Sequence, residues 1–129
     1  MRKYVSDTAQ LTDEYGIQIG RWQQYRDLGP LPFDAMWCVI PPGASSAEDV
    51  HPEVEFAVVT RGTAIYEAAG EKVEVPTGGV ILLDPERPHV IHNPSPEVPL
   101  TILSIYWMPR TADADADVEG GRDAGAGRG

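Results

Sequence analysis

Short apolar runs, each closed by glycine or proline, are the feature that most constrains the fold of this chain. Turn signals such as Pro41-Pro42-Gly43 and Asn93-Pro94 separate the runs, and helical patterns are scarce. The runs cover residues 17–22, 33–40, 55–60, 64–68, 72–75, 80–83, 89–91 and 100–107. Regular short strands with this punctuation predict an all-β barrel or sandwich. The first 15 residues are expected to add one strand or a short helical turn.

The length of 129 residues suits a single domain with one core. We expect that domain to span residues 1–110. Residues 111–129 form an Ala/Asp/Gly tract with no aromatic residue. Such a tract buries too little apolar surface to offset the entropy of ordering it, so we predict a disordered acidic tail.

The formal net charge of −10 excludes the usual partners of basic proteins. Nucleic acid and anionic membrane surfaces both call for clustered positive charge, so we expect neither as a partner. No apolar stretch has the length of a membrane span or of a signal-peptide core, and cytoplasmic residence is the default expectation. The lone Cys38 rules out an internal disulfide and is expected to be a buried, inert thiol.

Two clusters of potential metal ligands lie among the predicted strands. Asp49 and His51 are two residues apart, so in an extended segment their side chains leave the same face. Glu55 begins the next apolar run, and His89 belongs to a later hairpin. Together these side chains form a mixed nitrogen and oxygen set that suits Zn, Fe(II) or Mn. These donors are harder than the thiolates that hold structural zinc.

The spacing of these clusters resembles the two motifs of the cupin superfamily. The matching residues read Gly43-x5-Asp49-x-His51-x3-Glu55-x6-Gly62, and then Gly78-x5-Asp84-x-Glu86-x2-His89-x3-Asn93. The resemblance implies a double-stranded β-helix, or jelly-roll barrel, with one divalent metal ion inside. It implies His51, Glu55 and His89 as ligands, and zinc is the slightly favoured ion.

The chain departs from the family pattern at three positions. Asp49 stands where the first histidine is usual, and it is expected to ligate the metal, to hold a water, or to leave a coordination position open. Asp84 and Glu86 stand where proline and glycine are common. Asp49 and Glu53 are the nearest candidates for proton transfer, although Pro52 breaks the strand register and favours a solvated position for Glu53.

Other residues that could take part in binding or catalysis are expected to lie outside the site. Strand alternation turns His92, three residues after His89, to the opposite face, so we leave it out of the metal set. Aromatic side chains are expected in the core rather than at a substrate; these are Trp22, Trp37, Tyr66, Tyr106 and Trp107.

These expectations favour a metal-dependent cupin enzyme that acts on a small organic molecule in specialised metabolism. Its metal would serve as a Lewis acid or as an oxygen-activating centre. A ligand-binding or sensory cupin without turnover is the first alternative, and an assembly module is another. Residues 32–46 also resemble the cupin domain of bacterial hydrazine synthetases, which implies a stand-alone zinc cupin that forms N–N bonds by rearrangement. A homodimer is expected, in which the N-terminal strands of the two chains pair at their sheet edges.

Overall fold

The computed structural model describes residues 1–110, so the predicted acidic tail lies outside the described residues. Nine strands within the described residues confirm the all-β prediction. For every expected run of five residues or more, the observed strand begins and ends within two residues of the predicted bounds. The strands are β1 (Thr12–Glu14), β2 (Ile17–Arg21), β3 (Asp34–Ile40), β4 (Val54–Arg61), β5 (Ala64–Ala68), β6 (Glu71–Val75), β7 (Val80–Leu83), β8 (Val90–His92) and β9 (Leu100–Trp107).

The strands form two antiparallel sheets that face each other. The larger sheet has the order β1-β2-β3-β9-β4-β7, and the smaller has the order β6-β5-β8. The N-terminal segment supplies both features expected of it, because β1 follows a 3-10 turn at Ser6–Thr8. Within residues 1–110 there is no helix that is long and apolar enough to cross a membrane.

Alternation along the strands places one apolar side-chain set between the sheets. Ile19, Cys38 and Ile102 lie side by side on β2, β3 and β9, and all three are at most 2% exposed. Tyr66 faces them from the smaller sheet and is also buried. This core fills the barrel at one end and leaves the other end for polar side chains.

The segment between β3 and β4 is less regular than the same-face argument for Asp49 and His51 assumed. It contains no strand, and its β-type pairing is limited to isolated bridges of Ser45 with His92 and of Asp49 with His89. Proline at position 52 offers no N–H to a ladder, and this is one physical reason for the missing strand. The segment nevertheless runs along β8 and covers that side of the barrel.

Candidate metal centre

Backbone hydrogen bonds hold the two ligand clusters together. The Asp49 N–H donates to the His89 carbonyl at 3.0 Å, and the His89 N–H donates back to the Asp49 carbonyl at 2.9 Å. The Glu86 N–H donates to the His51 carbonyl at 2.7 Å.

 Positions 49 and 89 are therefore neighbours in space although 39 residues lie between them along the chain.

This pairing brings Asp49, His51 and His89 into one cluster. One ligand atom from each, a carboxylate oxygen and two imidazole nitrogens, lies within 4.8 Å of the other two. The two imidazole rings stand nearly perpendicular, with their centroids 5.1 Å apart. Three donors that converge in this way have the composition and spacing of a site for a divalent ion.

The second nitrogen of each histidine is held by the backbone. The Nδ1 atom of His51 lies 3.1 Å from the Glu53 carbonyl, and that of His89 lies 3.1 Å from the Arg87 carbonyl. A carbonyl accepts hydrogen bonds only, so each Nδ1 carries the proton and each Nε2 is the nitrogen that would bind a cation. Metal-binding histidines are oriented by this kind of contact, and the residues present therefore fit a metal ion.

Glu55 lies directly beside this cluster at the start of β4. Its Oε1 atom is 3.1 Å from His51 Nε2, and its Oε2 atom accepts a hydrogen bond from Ser104 Oγ at 2.8 Å. The side chain is 5% exposed, so its orientation is set by these two partners. The three-residue cluster does not include Glu55, and its predicted role as a ligand stays a prediction.

Electrostatics couple Glu55 to His51. The Glu55 hydrogen bond is the main cause that raises the pKa of His51 to about 9, and burial opposes it. Burial alone would raise the pKa of Glu55, but hydrogen bonds from His51 and Ser104 outweigh burial and hold it below its usual value. Since His51 Nδ1 already donates to a carbonyl, the short Nε2–carboxylate contact requires a proton or a metal ion between the two groups.

A cavity of about 320 Å³ opens above the cluster at the mouth of the barrel. The predicted proton-transfer residues Asp49 and Glu53 both line it. Glu53 is half-buried, with Oε1 3.7 Å from His51 Nδ1, so it is not the fully solvated side chain that the break at Pro52 favoured.

Two further residues of this cavity escaped the sequence analysis. Tyr106, which was expected in the core, lines the cavity together with Arg21. Arg21 ends a run of alternating residues in which Ile17 and Ile19 point into the barrel. Residues at every second position of a strand share a face, and this signal could have placed the Arg21 side chain inside.

The remaining residues singled out in the sequence lie away from the cluster. His92 is turned to the other face of β8, where its ring contacts Glu67 at 2.8 Å and Ser45 at 2.7 Å. Cys38 is buried, and desolvation raises the pKa of its thiol to about 12, so it stays protonated. Trp37 is buried as expected, whereas Trp107 is 38% exposed.

Solved structures share this architecture. A Cupin 2 conserved barrel domain protein from Salinispora arenicola is 27% identical with a TM-score of 0.73, and the match covers 93% of this chain and 98% of that one. A protein from Photorhabdus luminescens is 24% identical with a TM-score of 0.70, over 91% and 92% of the two chains. The cupin domain of a transcriptional regulator of the XRE family from Enterobacter cloacae is 24% identical with a TM-score of 0.60, over 74% and 99%.

The sequence itself matches the family model described as a cupin domain. The match covers residues 36–106, from β3 to the end of β9, and so includes both ligand clusters and more than half of the 129 residues. The expected fold and the expected membership of the cupin superfamily are thereby confirmed. This chain belongs to the cupin family.

Proposed function

We propose that the protein is a metal-dependent cupin enzyme that binds one divalent ion, with zinc preferred, and acts on a small organic molecule. The observation that carries the proposal is the convergence of Asp49, His51 and His89, with both Nδ1 atoms anchored to carbonyls. An anchored site of three protein ligands beside an open cavity has the arrangement of a catalytic centre rather than of a closed structural site.

The residues around the cluster suit a reaction that moves protons. A bound divalent ion would supply Lewis acidity or a site for oxygen, depending on which metal is present. Glu53 lines the cavity close to His51 and is placed to accept or return a proton of a bound molecule. Glu55 has both carboxylate oxygens engaged and instead orients the His51 ring.

Metal content is the first test, and the chain provides a matched control because it has only three histidines. We expect about one zinc per chain in the purified protein by elemental analysis. His51→Ala and His89→Ala should lose the metal, while His92→Ala should keep it. Equal metal content in all three variants would contradict the proposed site.

Turnover is the second test. Metal-loaded protein is incubated with a fractionated metabolite extract, and each mass is followed over time against the His89→Ala variant. An enzyme depletes a compound in large molar excess over itself, and only the metal-loaded protein should do so. Depletion limited to one equivalent would instead support a ligand-binding or sensory cupin, which is the alternative favoured by Asp49 in place of a histidine and by the regulator domain among the similar structures.

A further inference from the structure

The cavity above the metal cluster has an uneven distribution of charge. It is lined by the carboxylates of Asp49, Glu53 and Glu55, and by Arg21 at the end of β2. Among the described residues that line this cavity, Arg21 is the single lysine or arginine. An anionic group of a bound molecule therefore has one permanently positive side chain to meet outside the metal cluster.

The Arg21 side chain is held from outside the cavity. Its Nη1 atom donates to Glu14 Oε2 at 2.6 Å, and the same oxygen accepts a hydrogen bond from Thr12 Oγ1 at 2.7 Å. Neither Glu14 nor Thr12 lines the cavity. A guanidinium has five N–H donors in a planar fork, so this anchor through Nη1 leaves other donors on a side chain that lines the cavity.

Tyr106 completes the arrangement beside Arg21. It faces Glu55 across β4 and β9 in the strand register, and its half-buried ring lines the same cavity. Burial raises the pKa of the Tyr106 hydroxyl, and the nearby Arg21 guanidinium opposes this rise. Together the two side chains offer an N–H fork and an O–H, which are the groups that bind a carboxylate through two oxygens.

We propose that Arg21 and Tyr106 form a carboxylate subsite, and that the substrate is a small organic acid whose other end carries an oxygen donor directed toward Asp49, His51 and His89. This inference rests on the proposed metal-dependent function. The cavity volume of about 320 Å³ is at the lower limit of small-molecule sites, which restricts the substrate to a compact molecule.

Binding of dicarboxylates to the zinc-loaded protein tests the subsite. Malonate, succinate and glutarate are titrated by calorimetry, and the matching diamides serve as uncharged probes. We expect at least one dicarboxylate to bind and its diamide not to bind. Arg21→Gln should weaken that binding about 10- to 100-fold, as expected for lost charge-assisted hydrogen bonds, and Tyr106→Phe should weaken it less.

Control variants separate a binding role from a merely structural one. Arg61→Gln, at the far end of β4, should leave the affinity unchanged. Arg21→Lys should recover part of the affinity that Arg21→Gln loses, because it restores the positive charge. Equal affinity in Arg21→Gln and wild type, or no binding of any of the three dicarboxylates, would overturn the subsite.

The zinc content of every sample distinguishes a failure of the subsite from a failure of the proposed metal-dependent function. A protein that holds zinc but binds dicarboxylates without regard to Arg21 refutes the subsite alone. A protein that holds no divalent metal ion refutes the metal-dependent function and the subsite with it. Thermal unfolding of each variant shows whether a loss of affinity comes from a loss of folded protein.

Discussion

The contact between His51 and Glu55 is the strongest electrostatic feature of the cluster, and it makes the stability of the metal-free protein depend on pH. The folded pKa of His51, about 9, exceeds the ordinary value of 6.5, so protonation of His51 favours the folded state. This stabilisation is fully present below pH 6.5 and is lost as the pH rises toward 9.

Urea unfolding of the chelator-treated protein at several pH values measures this dependence. The unfolding free energy should fall between pH 6.5 and 9, and His51→Gln should remove most of the slope. His92→Gln is the control, because His92 lies outside the cluster. A slope that survives in His51→Gln would assign the dependence to another group.

Glu86 shows how a departure from the family pattern is accommodated. It has a φ of 60°, a left-handed conformation, at the position where the motif commonly has glycine. Left-handed backbone costs a residue with a Cβ atom about 1–2 kcal/mol, and β-branched residues adopt it least readily. Glu86→Val should therefore be less stable than Glu86→Gly by about 1 kcal/mol or more.

Denaturant unfolding of both variants checks this difference. Glu48→Val, at an exposed loop position without a positive φ, is the control for adding a β-branched side chain. If the Val and Gly variants at position 86 were equally stable, the left-handed backbone would not determine how substitutions at this position change the free energy of unfolding.

At the scale of elements, Asn93, which follows β8 directly, connects two other chain segments. The two N–H groups of the buried side-chain amide are shared among the carbonyls of Ile40, Pro41 and Val98, which lie 3.0, 3.2 and 2.9 Å from Nδ2. Its Oδ1 atom accepts a hydrogen bond from the Ser95 N–H. One side chain thus links the end of β3 to the turn that leads into β9.

Asn93→Asp keeps the shape of this side chain but removes its donors. Carbonyl oxygens would then face a buried carboxylate, and we expect a loss of about 2–4 kcal/mol in the free energy of unfolding. Urea unfolding measures the loss. Ser95→Ala, which removes an acceptor in the same turn, should cost less, and an equal cost in both variants would contradict this account.

The sequence was sufficient to predict the strands, because their apolar runs are separated by glycine or proline. It was not sufficient for the loop from residue 41 to residue 53, where Asp49 is held by two main-chain bonds to His89 rather than by a strand. Arg21 was missed for a different reason. An apolar run predicts a strand, but only the packed barrel shows that one of its ends opens into a cavity.

At the scale of the whole molecule, the outer face of the larger sheet is apolar. In the strand register, Phe56 lies between Leu82 and Ile105, and Val58 lies between Val80 and Leu103. Phe56, Leu82 and Val80 are exposed. This face gives the expected homodimer a second possible contact besides β1, which is an edge strand of only three residues.

Light scattering after gel filtration tests the dimer. We expect a dimer in the wild type and a monomer in Leu82→Glu, because a charge in the apolar face would have to be desolvated on association. Lys72→Glu, on the exposed edge strand of the smaller sheet, should leave the dimer intact. A wild-type monomer at all concentrations would refute the homodimer.

The reciprocal main-chain bonds between Asp49 and His89 also bear on how such a site can change over generations. Main-chain bonds do not depend on which side chain a residue carries. A mutation at position 49 can therefore exchange one donor for another, such as aspartate for histidine, while the neighbouring position 89 stays where it is. The barrel can in this way acquire a new metal preference by single substitutions, without first passing through a rearranged fold.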